Sequence, residues 1–251
     1  VPTTAGTGSE VTSVSIITVG GDEKRGVSSP IILPDIAILD ADLTVGLPAH
    51  IPAATGIDAM VHAIEAYASK SANNNPLSKM LARQALQLLG ANIEKAVFDG
   101  KDLNARGAML LGSMLAGQAF ANSPVAAVHA LAYPIGGTFH IPHGLSNALV
   151  LPHVLRFNAP DAASVYAEIA ADAFPELAAE QGAQGRCAAF IEKLAGLSAK
   201  LGLQPRLRDV GIGEEHLAGM ASDAMKQTRL LVNNPREVNE ADALSIYKAA
   251  W

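Results

Sequence analysis

An acidic residue and a histidine four positions apart are the first residues in this sequence that could do chemistry together. Asp58 and His62 lie in the run 56–67, whose pattern is helical. Residues four apart on a helix share one face and stand one turn apart. That spacing suits two ligands of one metal ion. Such a pair by itself is more often a hydrogen-bonded pair on a helix than a metal site, so the metal interpretation needs further ligands.

A second stretch, 128–144, supplies such ligands, because it contains His129, His140 and His143. Pro134 and two adjacent glycines between them allow the chain to turn back on itself. A set of imidazoles and one carboxylate, without sulfur, suits Fe²⁺ or Zn²⁺ better than a metal selected by thiolates. The histidines of both stretches are surrounded by apolar residues, where a buried polar group needs a partner.

Not every histidine is expected to bind the metal. His140 lies three residues before His143, but Pro142 disfavours helical backbone at the residue before it and breaks the turn that would bring the two rings together. We therefore expect His140 to be dispensable. His50, His153 and His216 have no acidic or histidine partner at ligand spacing and are interpreted as ordinary loop or helix-surface residues.

Composition predicts a mainly helical protein without a nucleic-acid or membrane partner. The 251 residues contain 4% aromatic residues and carry a net charge of −6, with no basic stripe for a phosphate backbone. The single Cys187 forms no disulfide within the chain, and no apolar run reaches about 18 residues. We expect a cytoplasmic protein. Because the chain opens at Val1 in what looks like the middle of a structural unit, we also expect the N-terminal part of a longer protein to be missing.

The N-terminal region predicts a short α/β edge. A glycine- and threonine-rich turn at 3–9 precedes a strand at 11–19 that ends at Gly20 and Gly21, and a buried strand is predicted at 34–40. The turn could approach a phosphate or a ribose, but an ordinary hairpin-entry turn is the more frequent explanation, since the segment lacks the P-loop lysine and the G-x-G-x-x-G spacing. The boundary between this region and a helical domain is predicted between 44 and 52, giving domains 1–47 and 48–251.

From Pro48 onward the apolar residues recur with helical period. Ser123 and Pro124 predict the start of a short helix that carries His129, and Pro134 predicts its end. His143 is predicted at the N-terminus of the next helix. The other predicted helices cover 77–97, 104–120, 145–157, 162–173, 186–201, 214–231 and 240–251.

The two histidine-bearing stretches, the segment 3–12 and the closing 234–236 resemble the iron-containing (group III) alcohol dehydrogenase family over essentially the whole chain. The resemblance implies a dinucleotide-binding α/β domain followed by an all-helical, dehydroquinate synthase-like domain that carries the metal. This chain resembles the end of the first domain and all of the second. The expected fold class is therefore mainly α.

The resemblance also implies roles for individual residues. It assigns the metal to Asp58, His62, His129 and His143. It assigns contacts with NAD or NADP to Thr3, Thr7, Thr12 and Lys24, the last of which a one-residue shift would replace by Arg25. It places Phe120 at the wall of the substrate pocket. The implied activity is hydride transfer between a small alcohol or aldehyde and NAD(P), in a homodimer, with Fe²⁺ or Zn²⁺ polarising the substrate oxygen.

Two departures from the family pattern affect the expected activity. Tyr133 stands where many members have a histidine thought to relay protons, and a tyrosine hydroxyl can still pass a proton. The glycine-rich pyrophosphate loop is not in this sequence, so the chain alone is expected to bind metal but to turn over no alcohol. Three alternatives stay open: a zinc polyol (glycerol) dehydrogenase-like enzyme, a dehydroquinate synthase-like lyase, and a non-catalytic, metal-stabilised helical domain.

Overall fold

The computed structural model describes residues 1–19 and 23–251, with the side chains of Thr18, Glu23 and Lys24 outside the described part. The predicted mainly α fold is confirmed. Two strands, β1 (Val14–Val19) and β2 (Glu23–Ser28), precede the helices. The helices that the structure describes are α1 (His50–Ala68), α2 (Pro76–Phe98), α3 (Leu103–Asn122), α4 (Ala127–Thr138), α5 (His143–Ala173), α6 (Gly182–Lys200), α7 (Leu217–Ala224), α8 (Thr228–Leu231) and α9 (Glu240–Ala250).

Helix α1 forms the centre of the core. It packs against α2, α3 and α5 on different sides, and Ile57, Met60, Val61 and Ile64 are fully buried. A helix that is enclosed on all sides has to be apolar all round, so the charged and imidazole side chains of α1 must find partners inside the protein. None of the described helices is long and apolar enough to cross a lipid bilayer.

Side-chain caps explain why several helix starts follow from the sequence. Asn75 accepts hydrogen bonds from the backbone of Leu77 and Ser78 and begins α2 with a capping box. Asp102 caps α3 through the amide of Ala105, and Asn239 caps α9 in the same way as Asn75. These caps are local in sequence, so they fix the helix starts to within one residue of the predicted positions.

The predicted limits of the helix that carries His129 are wrong at both ends. Ser123 does not cap it: Ser123 ends α3, and its hydroxyl donates to the carbonyl of Ala66 at 2.6 Å. Helix α4 begins at Ala127 instead. Pro134 lies inside the helix rather than at its end, because packing against α5 and α7 holds the backbone in place past the missing hydrogen bond.

Two other predicted helices differ from the structure. The segments predicted at 145–157 and 162–173 form one helix, α5, that runs through Pro152 and Pro160. Asn158, at the predicted break, is buried and its amide donates to Tyr166 Oη and Asn234 Oδ1, both at 3.0 Å. Conversely, the helix predicted at 214–231 is divided into a 3₁₀ turn, α7 and α8.

The N-terminal region is a β-hairpin followed by 3₁₀ turns. Strands β1 and β2 pair antiparallel, with Val14 opposite Ser28, and the predicted turn at Gly20 and Gly21 lies outside the described residues. The buried strand predicted at 34–40 is wrong. The structure assigns no strand there, and Ile36 and Ile38 are exposed, because the described part of the chain offers this apolar run no neighbouring strand to pair with.

The glycines of the N-terminal loop allow it to lie directly on the helices. Gly8 has φ +60°, and a Cβ placed there would come within 2.6 Å of the Cα of Gly117 on α3. A Cβ on Gly6 would come within 2.7 Å of Thr55 on α1. The absence of side chains at Gly6 and Gly8 therefore brings the loop backbone into contact with α1 and α3.

Candidate metal centre

Three helices bring four potential ligands to one place. Asp58 and His62 lie one turn apart on α1, as their spacing predicts. His129 lies in the first turns of α4, and His143 is the first residue of α5. Because α4 and α5 both begin beside the middle of α1, residues that are far apart in sequence converge.

The ligand atoms face one another closely. One donor atom from each of Asp58, His62, His129 and His143 lies within 4.8 Å of all the others. Asp58 Oδ1 is 4.0 Å from His62 Nε2, 3.7 Å from His129 Nε2 and 3.6 Å from His143 Nε2. Three nitrogens and one carboxylate oxygen form a donor set that suits divalent iron or zinc.

Burial and mutual contact shift the pKa values of the buried Asp58 and His62. Burial would raise the pKa of Asp58, but the three neighbouring histidines and a hydrogen bond from Asn147 lower it overall. Burial lowers the pKa of His62 to about 3, with Asp58 opposing this effect and the other two histidines adding to it. His62 is therefore neutral at physiological pH, which is the form that ligates a metal.

Asn147 lies one turn after His143 and contacts the group of four potential ligands, here called the cluster. No role was predicted for it from the sequence. Its fully buried Nδ2 donates to Asp58 Oδ1 at 2.6 Å and lies 3.3 Å from the Nε2 atoms of His129 and His143. Its Oδ1 is buried and has no hydrogen-bond partner among the described residues. The i, i+4 spacing from His143 is a signal that could have identified this residue.

Two further residues contact the ring nitrogens of His62 and His129 that point away from Asp58. Gly6 O lies 3.1 Å from His62 Nδ1, and a carboxylate oxygen of Glu65 lies 2.6 Å from His129 Nδ1. Burial would lower the pKa of His129, but the hydrogen bond and charge of Glu65, with the charge of Asp58, raise it overall. Glu65 follows His62 by three residues, so it lies on the same helix face and could have been recognised from the sequence.

The residues expected around the reacting centre lie beside the cluster. The ring of Phe120 packs against His62 with centroids 4.5 Å apart. The Tyr133 ring lies 6.4 Å from that of His143, and its hydroxyl accepts a hydrogen bond from Arg229 Nη2 at 3.4 Å. Burial raises the pKa of Tyr133, and Arg229 offsets part of this, so the hydroxyl keeps its proton at neutral pH.

The residues expected to contact the nucleotide occupy different environments. Thr3 and Thr7 are exposed, and Thr7 Oγ1 donates to Ser9 Oγ at 3.1 Å. Thr12 is buried. The side chain of Lys24 lies outside the described residues. The loop that carries Thr3 and Thr7 also contains Gly6, whose carbonyl contacts His62, so it runs directly beside the four potential ligands.

The histidines that were assigned no role are not part of the group of four potential ligands. His140 is exposed and has φ +55°, in the segment between α4 and α5. His50 is exposed at the start of α1, His153 is partly buried on α5, and His216 contacts Phe139 with ring centroids 5.1 Å apart.

Known families and proteins match the chain along its length. Residues 52–251 match the model of the Fe-containing alcohol dehydrogenase family, C-terminal, and residues 1–41 match the model of iron-containing alcohol dehydrogenase. Long-chain-alcohol dehydrogenase 1 of Geobacillus thermodenitrificans is 44% identical over 100% of this chain and 62% of its own length. Lactaldehyde reductase of Escherichia coli is 35% identical over 100% of this chain and 64% of its own.

Solved structures of alcohol dehydrogenases and a related oxidoreductase have a similar fold over nearly the whole chain. A 1,3-propanediol oxidoreductase superposes with a TM-score of 0.93 at 38% identity, over 99% of this chain and 64% of its own. An alcohol dehydrogenase from Oenococcus oeni also reaches 0.93, at 33% identity, over 99% of this chain and 64% of its own. The chain thus spans less than two thirds of the length of these relatives. The two family models together match residues 1–41 and 52–251, and the second range contains all four potential ligands. The chain therefore belongs to the iron-containing alcohol dehydrogenase family.

Proposed function

We propose that this chain provides the metal-binding part of an NAD(P)-linked alcohol dehydrogenase or aldehyde reductase. One observation carries the proposal: Asp58, His62, His129 and His143 place three nitrogens and one oxygen within 4.8 Å of one another. A buried carboxylate among imidazoles needs a compensating positive charge, and a divalent cation would supply it. We infer that these four residues are the metal ligands.

The bound ion, Fe²⁺ or Zn²⁺, would act as a Lewis acid on an alcohol or carbonyl oxygen. The chain's own residues prepare the site for it. Gly6 and Glu65 orient two of the rings, and Asn147 fixes the carboxylate of Asp58. Four protein ligands would leave room for a substrate oxygen on Fe²⁺, which keeps open positions in non-haem sites, or on a Zn²⁺ that expands to five ligands.

Two side chains beside the cluster suit the substrate. Phe120 offers an apolar wall next to His62, which fits the carbon chain of a small alcohol or aldehyde. Tyr133 holds a proton on its hydroxyl close to His143. We propose that this hydroxyl passes protons to and from the reacting oxygen, in the role that a histidine fills in many relatives.

The cofactor is proposed to lie over the N-terminal loop. Thr3 and Thr7 present exposed hydroxyls on the loop whose Gly6 contacts His62, so a nicotinamide held there would lie near the metal. Thr12 and Lys24 are proposed as further contacts. In this proposal residues 1–47 form the edge of a dinucleotide-binding domain and 48–251 form the catalytic helical domain, in a cytoplasmic homodimer.

The experiment combines two measurements. Anaerobically purified protein is analysed for iron and zinc, and NAD(P)-linked oxidation of short alcohols is measured on a chain that also contains an N-terminal dinucleotide-binding domain. We expect close to one metal ion per chain and metal-dependent turnover. A protein that contains the metal but has no oxidoreductase activity would support a metal-stabilised structural domain instead. Activity confined to glycerol with zinc would support the polyol dehydrogenase alternative.

A further inference from the structure

Glu65 is a buried carboxylate that uses both of its oxygens. It lies on α1, three residues after His62, and is 5% exposed. Its Oε1 accepts from the backbone N–H of Val128 at 2.7 Å, and its Oε2 lies 2.6 Å from His129 Nδ1. A buried charge is costly unless it is paired and hydrogen-bonded. Both partners of Glu65 belong to the first turn of α4.

The bond to Val128 fixes the start of α4. The N-cap residue of this helix is Ala126, whose methyl group cannot accept a hydrogen bond from the free N–H groups of the first turn. The Glu65 carboxylate satisfies one of these donors from the neighbouring helix and places a negative charge at the positive end of the helix dipole. It therefore holds the N-terminus of α4, and His129 with it, against α1.

The hydrogen bond between Glu65 and His129 selects one tautomer of the His129 imidazole. An ionised carboxylate can only accept, so the proton of the neutral ring lies on Nδ1 and the lone pair on Nε2. His129 Nε2 is the atom that faces Asp58 Oδ1, at 3.7 Å. The carbonyl of Gly6 imposes the same form on His62, but a backbone carbonyl cannot be replaced by mutation. Glu65 is the partner that can be tested.

We propose that Glu65 is a positioning residue of the metal centre, which fixes His129 as an Nε2 ligand and fixes the start of α4. The inference rests on the metal site proposed above. In the isosteric variant Glu65→Gln, the amide oxygen can still accept from Val128. The amide NH₂ then faces Nδ1 and requires the lone pair there, which moves the ring proton to Nε2 and blocks that atom from binding a metal.

Zinc affinity tests the proposal. Apoprotein is titrated with Zn²⁺ in competition with a chromophoric chelator, for the wild type, Glu65→Gln and Glu168→Gln. Glu168 is the matched control, because its carboxylate also faces α1 and accepts from the Tyr67 hydroxyl at 2.6 Å but does not contact the cluster. We expect Glu65→Gln to raise the zinc dissociation constant about 10- to 100-fold, while Glu168→Gln binds as the wild type does.

The tautomer of His129 can also be measured in the wild type. The proposal therefore stays testable if Glu65→Gln does not fold. In zinc-loaded protein, ¹⁵N chemical shifts of the His129 ring are expected to show the metal on Nε2 and the proton on Nδ1. The opposite arrangement would overturn the proposal. Equal zinc affinity of wild type and Glu65→Gln would overturn the role of Glu65 alone, whereas a wild type that takes up no zinc would overturn the metal site together with it.

Discussion

The Nδ1 of His62 lies 3.1 Å from the carbonyl oxygen of Gly6, so α1 and the N-terminal loop share a hydrogen bond beside the four proposed ligands. Loss of the ring removes this bond and one of four proposed ligands. We expect His62→Ala and His129→Ala each to abolish stoichiometric metal binding, because the remaining donors compete poorly with water. Metal content is measured by elemental analysis after gel filtration. Unchanged metal in both variants would refute the assignment.

His140 provides the contrasting case. It lies three residues before His143, but it is exposed and its backbone has φ +55°, so it does not share a helical turn with His143. We expect His140→Ala to retain full metal content while His143→Ala loses it. The two variants remove the same side chain from neighbouring positions, which controls for nonspecific zinc binding. Equal loss in both would mean that the segment between α4 and α5 adopts another arrangement when the metal binds.

Two glycines inside helices are expected to respond in opposite directions to alanine. A Cβ on Gly90 of α2 would overlap the carbonyl of Ala173 at the end of α5, whereas one on Gly196 of α6 would meet nothing within 4 Å. We expect Gly90→Ala to destabilise the protein by about 1–3 kcal/mol. Gly196→Ala should stabilise it by about 0.5–1 kcal/mol, since glycine is the poorer helix former. Urea unfolding measures both, and a stabilising Gly90→Ala would contradict the close packing of α2 on α5.

Acid should destabilise the protein partly through His153. Burial lowers its pKa to about 4, with the nearby charge of Arg156 contributing and that of Glu192 opposing. In the unfolded chain His153 binds a proton near its ordinary pKa of about 6.5, while the folded protein does so only near 4. Stability from this residue is therefore fully present above the ordinary value and is lost as pH falls through this window.

The variant His153→Gln removes this contribution. We expect its free energy of unfolding to fall less between pH 7 and pH 5 than that of the wild type, when both are measured by urea denaturation. His216→Gln is the control, because His216 is exposed. An equal pH dependence of wild type and His153→Gln would show that burial of His153 does not affect stability.

The 251-residue chain alone should not oxidise alcohols. It spans 62–64% of the length of its relatives, and hydride transfer requires a nicotinamide held about 3–3.5 Å from the substrate carbon. We expect metal uptake without NAD(P)-dependent turnover, and turnover when a dinucleotide-binding domain precedes the chain. Comparable activity of the two forms would refute this view. The exposed Ile31, Ile36 and Ile38 should also cause self-association of the short form, which sedimentation velocity detects.

Local signals in the sequence predicted part of this structure. The predicted starts of α2 and α3 agree with the structure to within one residue, because Asn75 and Asp102 each cap the turn that follows them in sequence. The start of α4 could not be predicted in this way, since the group at its N-terminus, Glu65, comes from another helix. The same holds for α5, where Asn158 looks like a loop residue until its buried partner Asn234, 76 positions later, is known.

In the candidate site, too, local sequence predicts some features, whereas others depend on residues far apart in the chain. The spacing of Asp58 and His62 predicts that they share a helix face, and this is what the structure shows. Their convergence with His129 depends on the hydrogen bonds that Glu65 of α1 makes to the first turn of α4, which no local pattern encodes. The prediction of a strand at 34–40 was wrong for a related reason, because a short apolar run bounded by Pro and Asp does not reveal whether a partner strand is present.

The four proposed ligands differ in how far they are open to solvent, and this sets the direction of metal exchange. The side chains of Asp58, His62 and His129 are 2%, 6% and 4% exposed, whereas that of His143 is 46% exposed. Among the described residues, His143 at the start of α5 is thus the most exposed of the four, and we expect an ion to approach and leave on its side. We expect His143 to bind last and dissociate first, so that the rate at which chelators remove the metal depends on the motion of this one ring.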